Sequence, residues 1–497
     1  MRQTHNPQIK FGETPISEIN IDLTTRDDIP PLLLGLQYIY INTEIRDQVF
    51  SVLEETISPD RSHNDGRPGM NLWKILVLGV LRLNLNWDYD RLQEMANNHK
   101  IIRQMLGHGF IDNDHTYKLQ TLKDNVCLLT PETLNKINEI VVKAGHKLVK
   151  KKDDETLEGR CDSFVVETNV HYPTDINLLY DAIRKVITLV AALCIILDIS
   201  DWRQSKHNLK TIKRLFRKAQ QLKRSTSKKP EKMELREIQI IEAHQEYINN
   251  VQEFLARART TIEKIDLSSL SLDVKVLQIS VRIMEIQGYM QHAERQIDQI
   301  SRRVVEGKMI PHAEKVFSIF QEHTEWISKG KAGVPVELGL KVCVLEDQHG
   351  FILQHKVMRK QTDNQVAVSM VEQTLEIFPE LNSCSFDKGF HSPTNQQKLR
   401  NILNTVVLPK KGRLSKADKE REYSKDFINK RHQHSAIESA INALEVHGLD
   451  MCPDHGINGF ERYVSMAVLA RNIQQLGVKL RQVELKRQRK KKLQKAA

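Results

Sequence analysis

Apolar and polar positions recur with two different periods along this chain, and the change of period divides it into regions. From Met70 to Leu85 the sequence is apolar at most positions, and Arg67, Pro68 and Gly69 predict a loop before it. Further on, Leu134, Ile137 and Val141 repeat at helical spacing behind Thr130 and Pro131. That pattern predicts a helix with one face on a core, capped by Thr130 and opened by Pro131. Residues 1–150 therefore read as a helical module after a polar, loop-like start.

Residues 161–175, CDSFVVETNVHYPTD, open with β-branched and aromatic residues and close at Pro173, which predicts a strand. Residues 176–330 read as a long all-helical insertion. Within it Val186 to Leu197 is apolar nearly all round, as a buried helix would be, and long mixed-charge helices run on through Arg303. Residues 334–477 change character again, because strands and helices alternate. Val336 to Leu345 and Phe351 to Met358 form a hairpin pattern around Gly350, Val366 to Ile377 a helix, and Leu381 to Asp387 a strand. Ser392 and Pro393 start a further helix, and Thr405 to Leu408 reads as a strand ended by Pro409. Without the helical insertion, the element order is close to that of an RNase H-like α/β domain, which predicts a mixed five-stranded sheet split by that insertion. A helical N-terminal domain precedes it and a basic tail, residues 478–497, follows.

Composition narrows the class. With 497 residues, 40% hydrophobic and 28% charged, the chain has a multidomain globular make-up. Its 6 cysteines are scattered, with no CxxC, which excludes a disulfide framework and points to a reducing, cytoplasmic setting. No apolar run reaches the roughly 20 residues of a membrane span. The formal net charge of +11 is unevenly held: Arg203 to Lys232 carries +11 and Lys479 to Ala497 carries +8, leaving the remainder at −8. Segregated positive charge of this kind suits a polyanion, since each phosphate neutralised releases counterions. Double-stranded DNA is the expected partner, with Lys210, Lys213, Arg214, Arg217 and Lys218 at the centre of the first basic run.

Three acids stand where chemistry could be built. Asp162 lies at the start of the first predicted strand, and Asp387 lies where an apolar strand empties into the loop Lys388, Gly389, Phe390. Glu438 flanks the stripe Ile437, Ile441, Leu444 of a helix that Gly448 should stop. If the three converge, their oxygens could hold two Mg²⁺ ions, or Mn²⁺, roughly 3.5 to 4 Å apart for phosphodiester cleavage. Each acid also has a plain structural reading, as a turn cap, a solvated loop acid, or part of a wet helix face.

The strings DSFVVETNVHYPTDINLLYDAIR, FDKGFHSPTNQ and HSAIESAINALEVHGLDMCPDHGINGFERYVSMAVLARNIQQLG resemble, in order, the three catalytic blocks of bacterial insertion-sequence transposases of the DDE class. The similarity is closest to the ISNCY group and extends weakly to RPGMNLWKILVLGVL, which resembles a helical DNA-binding module. The resemblance implies that Asp162, Asp387 and Glu438 are catalytic metal ligands, supported by Thr168, Asn169, His171, Pro173, Asp175, Lys388, Gly389 and Asn395. It implies strand cleavage at transposon ends, transfer of the freed 3′-hydroxyl to target DNA by transesterification, and a dimer or larger assembly holding both ends. One departure stands out. Many relatives carry a Tyr, Arg, Glu, Lys series around the glutamate, and here those positions hold Arg431, His434, Glu438 and Glu445. Arg431 or His434 would then supply the phosphate contact. A DNA-binding protein without catalysis and a hydrolytic nuclease of the same fold are the alternatives. Zinc is disfavoured by the absence of paired ligands, and ATP-driven chemistry by the absence of GxxxxGK[ST].

Overall fold

The computed structural model describes residues 3–5, 8, 11–56, 69–109, 115–150, 155–222, 229–265, 274–328 and 335–496. Arg67 and Pro68 of the expected loop, Lys223, Arg224 and Lys228 of the basic run, and the expected boundary at 330–334 lie outside these residues. The chain forms two compact units, Met1–Asn169 with Glu325–Ala497, and Val170–Thr324.

The first unit begins with α1 (Ile29–Ile41), α2 (Thr43–Glu54), α3 (Leu72–Asn84), α4 (Tyr89–Asn98), α5 (Lys100–Met105), α6 (Leu119–Val126) and α7 (Pro131–Val149). The Thr130 hydroxyl accepts a hydrogen bond from Thr133 N, and Leu134, Ile137 and Val141 are fully buried, as their spacing requires. Strand β1 (Leu157–Thr168) follows. It starts before Cys161, so Asp162 stands in mid-strand rather than at the start. A chain paired on both edges runs on for as long as its neighbours supply partners.

The helical unit holds α8 (Asp175–Ile196), α9 (Ser205–Leu222), α10 (Pro230–Glu263) and α11 (Val274–Ile300), around its own core of Val186, Ile187, Tyr247, Val251 and Ile286. The apolar run from Val186 is buried only as far as Cys194. Ile195 and Ile196 are 81% and 53% exposed, because the helix outruns the layer it packs on. The last residues of the stretch expected to be helical are instead an edge strand, β2 (Glu325–Ser328).

Then come β3 (Val336–Glu346), β4 (Ile352–Met358), α12 (Asp363–Ile377), β5 (Leu381–Phe386), α13 (Pro393–Ile402) and β6 (Thr405–Val407). They are followed by α14 (Lys416–Glu422), α15 (Lys425–His434), α16 (Ala436–Leu444), β7 (Met451–Cys452) and α17 (Gly456–Ala496). The mixed sheet has seven strands where five were expected. The additions are β2, antiparallel to the first half of β3, and β7, parallel to the end of β1; both are too short to leave a clear alternation. Along the rest of the sheet the order is β4, β3, β1, β5, β6. Here β3 is antiparallel to β1 and β4 to β3, whereas β5 is parallel to β1 and β6 to β5.

One core joins the N-terminal helices to the sheet. α17 supplies Phe460, Val464, Leu469 and Ile473 to it, and α3 is buried all round. Residues 1–150 therefore belong to the same compact unit as the sheet. The described part of the basic stretch, residues 478–496, continues α17 as helix, where cations near a helix C-terminus are favoured by its dipole.

Candidate acidic site beside the end of a central strand

Parallel pairing of β1 with β5 sets Cys161 opposite Phe386, so the next residue of each chain, Asp162 and Asp387, stand side by side. Asp387 lies one residue past β5, exposed, and its carboxylate accepts from Gly389 N at 3.5 Å. The third acid arrives on α16, which packs on β1. Ile437 and Leu444 bury that helix and Ile441 is half-buried, leaving Glu438 exposed on its first turn. α16 ends at Leu444, and Gly448, at a φ of 110° that favours glycine, ends the irregular turn after it.

Asp162 reports the crowding. Its carboxyl is pushed up to about 6, first by burial and then by the negative charges of Asp387, Asp363 and Glu438, against a hydrogen bond from Ser163 N that favours the ionised form. The three predicted acids therefore share one electrostatic neighbourhood. Among the described residues, no group of three or more His, Cys, Asp or Glu side chains forms a ready metal cage. The donor chemistry nonetheless fits a hard divalent cation: the candidate ligands are carboxylate oxygens, and a cation between them would offset the negative charges that add to burial in raising Asp162.

Sequence reasoning missed a fourth acid. Asp363, the first residue of α12, accepts from Ser163 Oγ at 2.7 Å and from Lys341 Nζ at 2.9 Å. A Cβ at Gly389 would come within 3.2 Å of its Oδ2, so a larger residue there would press on this carboxylate. The capping box formed by Thr362 and Gln365 marks a helix start here but does not distinguish Asp363 from any other acid in a first turn.

The supporting positions separate. Asn395 is buried and ties the loop after β5 to the start of α12, its Nδ2 donating to Phe390 O at 2.9 Å and Asn364 O at 2.6 Å. His434, at the end of α15, has Nδ1 2.9 Å from Ser385 Oγ. Burial lowers its pKa, as does Arg160, while Asp387 and Glu438 oppose this. Lys388 and Arg431 are exposed. Thr168 donates to Leu338 O at 3.2 Å and, six residues along the strand, is roughly 20 Å from Asp162. Asn169 follows it, exposed. His171 and Asp175 belong to the helical unit, where they pair with Asp181 at 3.3 Å and Arg303 at 2.8 Å. Lys210, Lys213, Arg214, Arg217 and Lys218 are exposed on α9.

Comparison with known proteins adds no assignment: no family model, curated protein or solved structure matches the chain. Among the described residues no helix is long and apolar enough to cross a membrane.

Proposed function

We propose that this protein is a DDE-class transposase with an RNase H-like catalytic domain, cutting DNA at transposon ends and joining the freed 3′-hydroxyl to target DNA. The observation that carries the reading is that Asp387 and Glu438, distant in sequence, both act electrostatically on Asp162, which stands in mid-strand of β1 beside the end of β5. The element order supports it too: β1, a helical unit, a β3–β4 hairpin, α12, β5, α13, β6 and then the helix bearing the glutamate.

In this reading Asp162, Asp387 and Glu438 hold a pair of Mg²⁺ or Mn²⁺ ions. When bound, such ions supply the positive charge that activates an attacking oxygen and stabilises a leaving one. The chain's own part is positional. β1 and β5 fix two carboxylates by main-chain pairing, and α16 brings the third. Lys388, beside Asp387, and Arg431, on α15, present cations to a phosphate. Asp363 is engaged by Lys341 and Ser163 and stays a neighbour of the triad rather than a member. DNA ends are brought together by a dimer or larger assembly.

The test is a labelled transposon-end duplex incubated with the full chain, Mg²⁺ or Mn²⁺, and target DNA. Cleavage with joined product is expected, and Asp162→Ala should abolish both steps. Cleavage without joining would indicate a nuclease, binding without cleavage a DNA-binding protein; cleavage retained by Asp162→Ala would overturn the assignment of the acid.

A further inference from the structure

We propose that the helical unit carries a sequence-independent site for the phosphate backbone of duplex DNA, in the groove between α9 and the first turns of α10. This inference goes beyond the acidic site and does not rest on it. The groove has a volume of about 930 Å³. Lys210, Lys213, Arg214, Arg217 and Lys218 line it from α9, and Lys232 and Arg236 from α10.

Spacing makes this more than a basic run. The five cations of α9 recur at steps that hold them on one helix face, while Asn208, Ile212, Leu215 and Ala219 bury the other. On α10 the lining residues Lys232, Leu235, Arg236 and Gln239 form one stripe, and the acids Glu231, Glu234 and Glu237, interleaved with them in sequence, do not line the groove. Both helices thus turn cations toward one space. A merely solvated basic face would not require the facing helix to sort its charges the same way.

Only Lys218 among the α9 cations has an ion-pair partner in the described residues, Glu246 at 2.7 Å. Gathering like charges costs free energy that a polyanion recovers by charge neutralisation and counterion release. The nature of the lining then selects the mode of binding. None of the described lining residues is aromatic, so the groove offers no platform on which unpaired bases could stack. Apart from Gln221 and Gln239 the polar lining is lysine and arginine, and rows of cations on two facing helices grip a phosphate backbone rather than read its sequence.

The experiment uses the full chain in EDTA, two fluorescently labelled duplexes of unrelated sequence, and anisotropy titrations over a range of salt. The triple variant Lys213→Gln, Arg214→Gln, Arg217→Gln changes exposed side chains only, with circular dichroism as the check on folding. For both duplexes it should weaken binding at least about tenfold and make the log–log salt dependence shallower by roughly 2 to 3, at about 0.9 per lost contact. Lys206→Gln, exposed on α9 outside the groove, should leave the affinity within about twofold. Unchanged affinity and slope in the triple variant would overturn the proposal. So would a loss confined to one duplex, because the groove would then read sequence.

Discussion

At Asp162, burial and the proposed role as an ionised metal ligand pull in opposite directions. Its carboxyl rises from 3.8 to about 6 on folding, chiefly through burial and then through Asp387, Asp363 and Glu438. The folded state therefore binds the proton more tightly than the unfolded chain does. The stabilisation from this preference is fully present below about pH 4 and is lost as the pH rises through about 6. Above that range the ionised side chain is a liability of about 3 kcal/mol. Asp162→Asn should accordingly raise the melting temperature at pH 8 and flatten its fall between pH 4 and 6, in scanning calorimetry without divalent ions. A lowered melting temperature at pH 8 would mean that the carboxylate is compensated by some other group. Asp162 and Asp387 were legible in the sequence because each accompanies an apolar strand. Asp363 was not, since one acid at a helix start resembles any other until β1 and β3 bring Ser163 and Lys341 against it.

Among the elements, α16 is the one that bears the third acid of the proposed triad. Its hold on the sheet comes from Ile437 and Leu444, 0% and 1% exposed, beside the acid that it presents. Ile437→Ala should cost about 2 to 5 kcal/mol by lost burial and cavity formation, measured by urea unfolding. It should also lower cleavage at temperatures where the variant stays folded, because Glu438 sits on the neighbouring position. Full activity in a folded Ile437→Ala protein would separate the glutamate from the packing of its helix. The amphipathic helices and the long strands were readable because burial on one face imposes a period. β2 and β7 were not, since two to four residues owe their extended form to β3 and β1 rather than to any pattern of their own.

At the scale of the whole molecule, the chain has two separate hydrophobic cores. The sheet unit gathers the acids, and the helical unit has a cationic groove within it. The sequence showed the insertion as a change of period, but not that residues 1–150 share one core with the sheet, because α17 completes that core from the far end of the chain. In the proposed function, three acids 225 and 51 residues apart along the chain act as one divalent-cation site. Isothermal titration of Mn²⁺ into the full chain, and into Asp162→Asn, Asp387→Asn and Glu438→Gln, tests it most directly. The account predicts saturable uptake of about two ions by the wild type, in line with paired-metal phosphodiester chemistry, and loss or marked weakening in every single variant. Wild-type uptake by any one of the three variants, or none by the wild type, would contradict it.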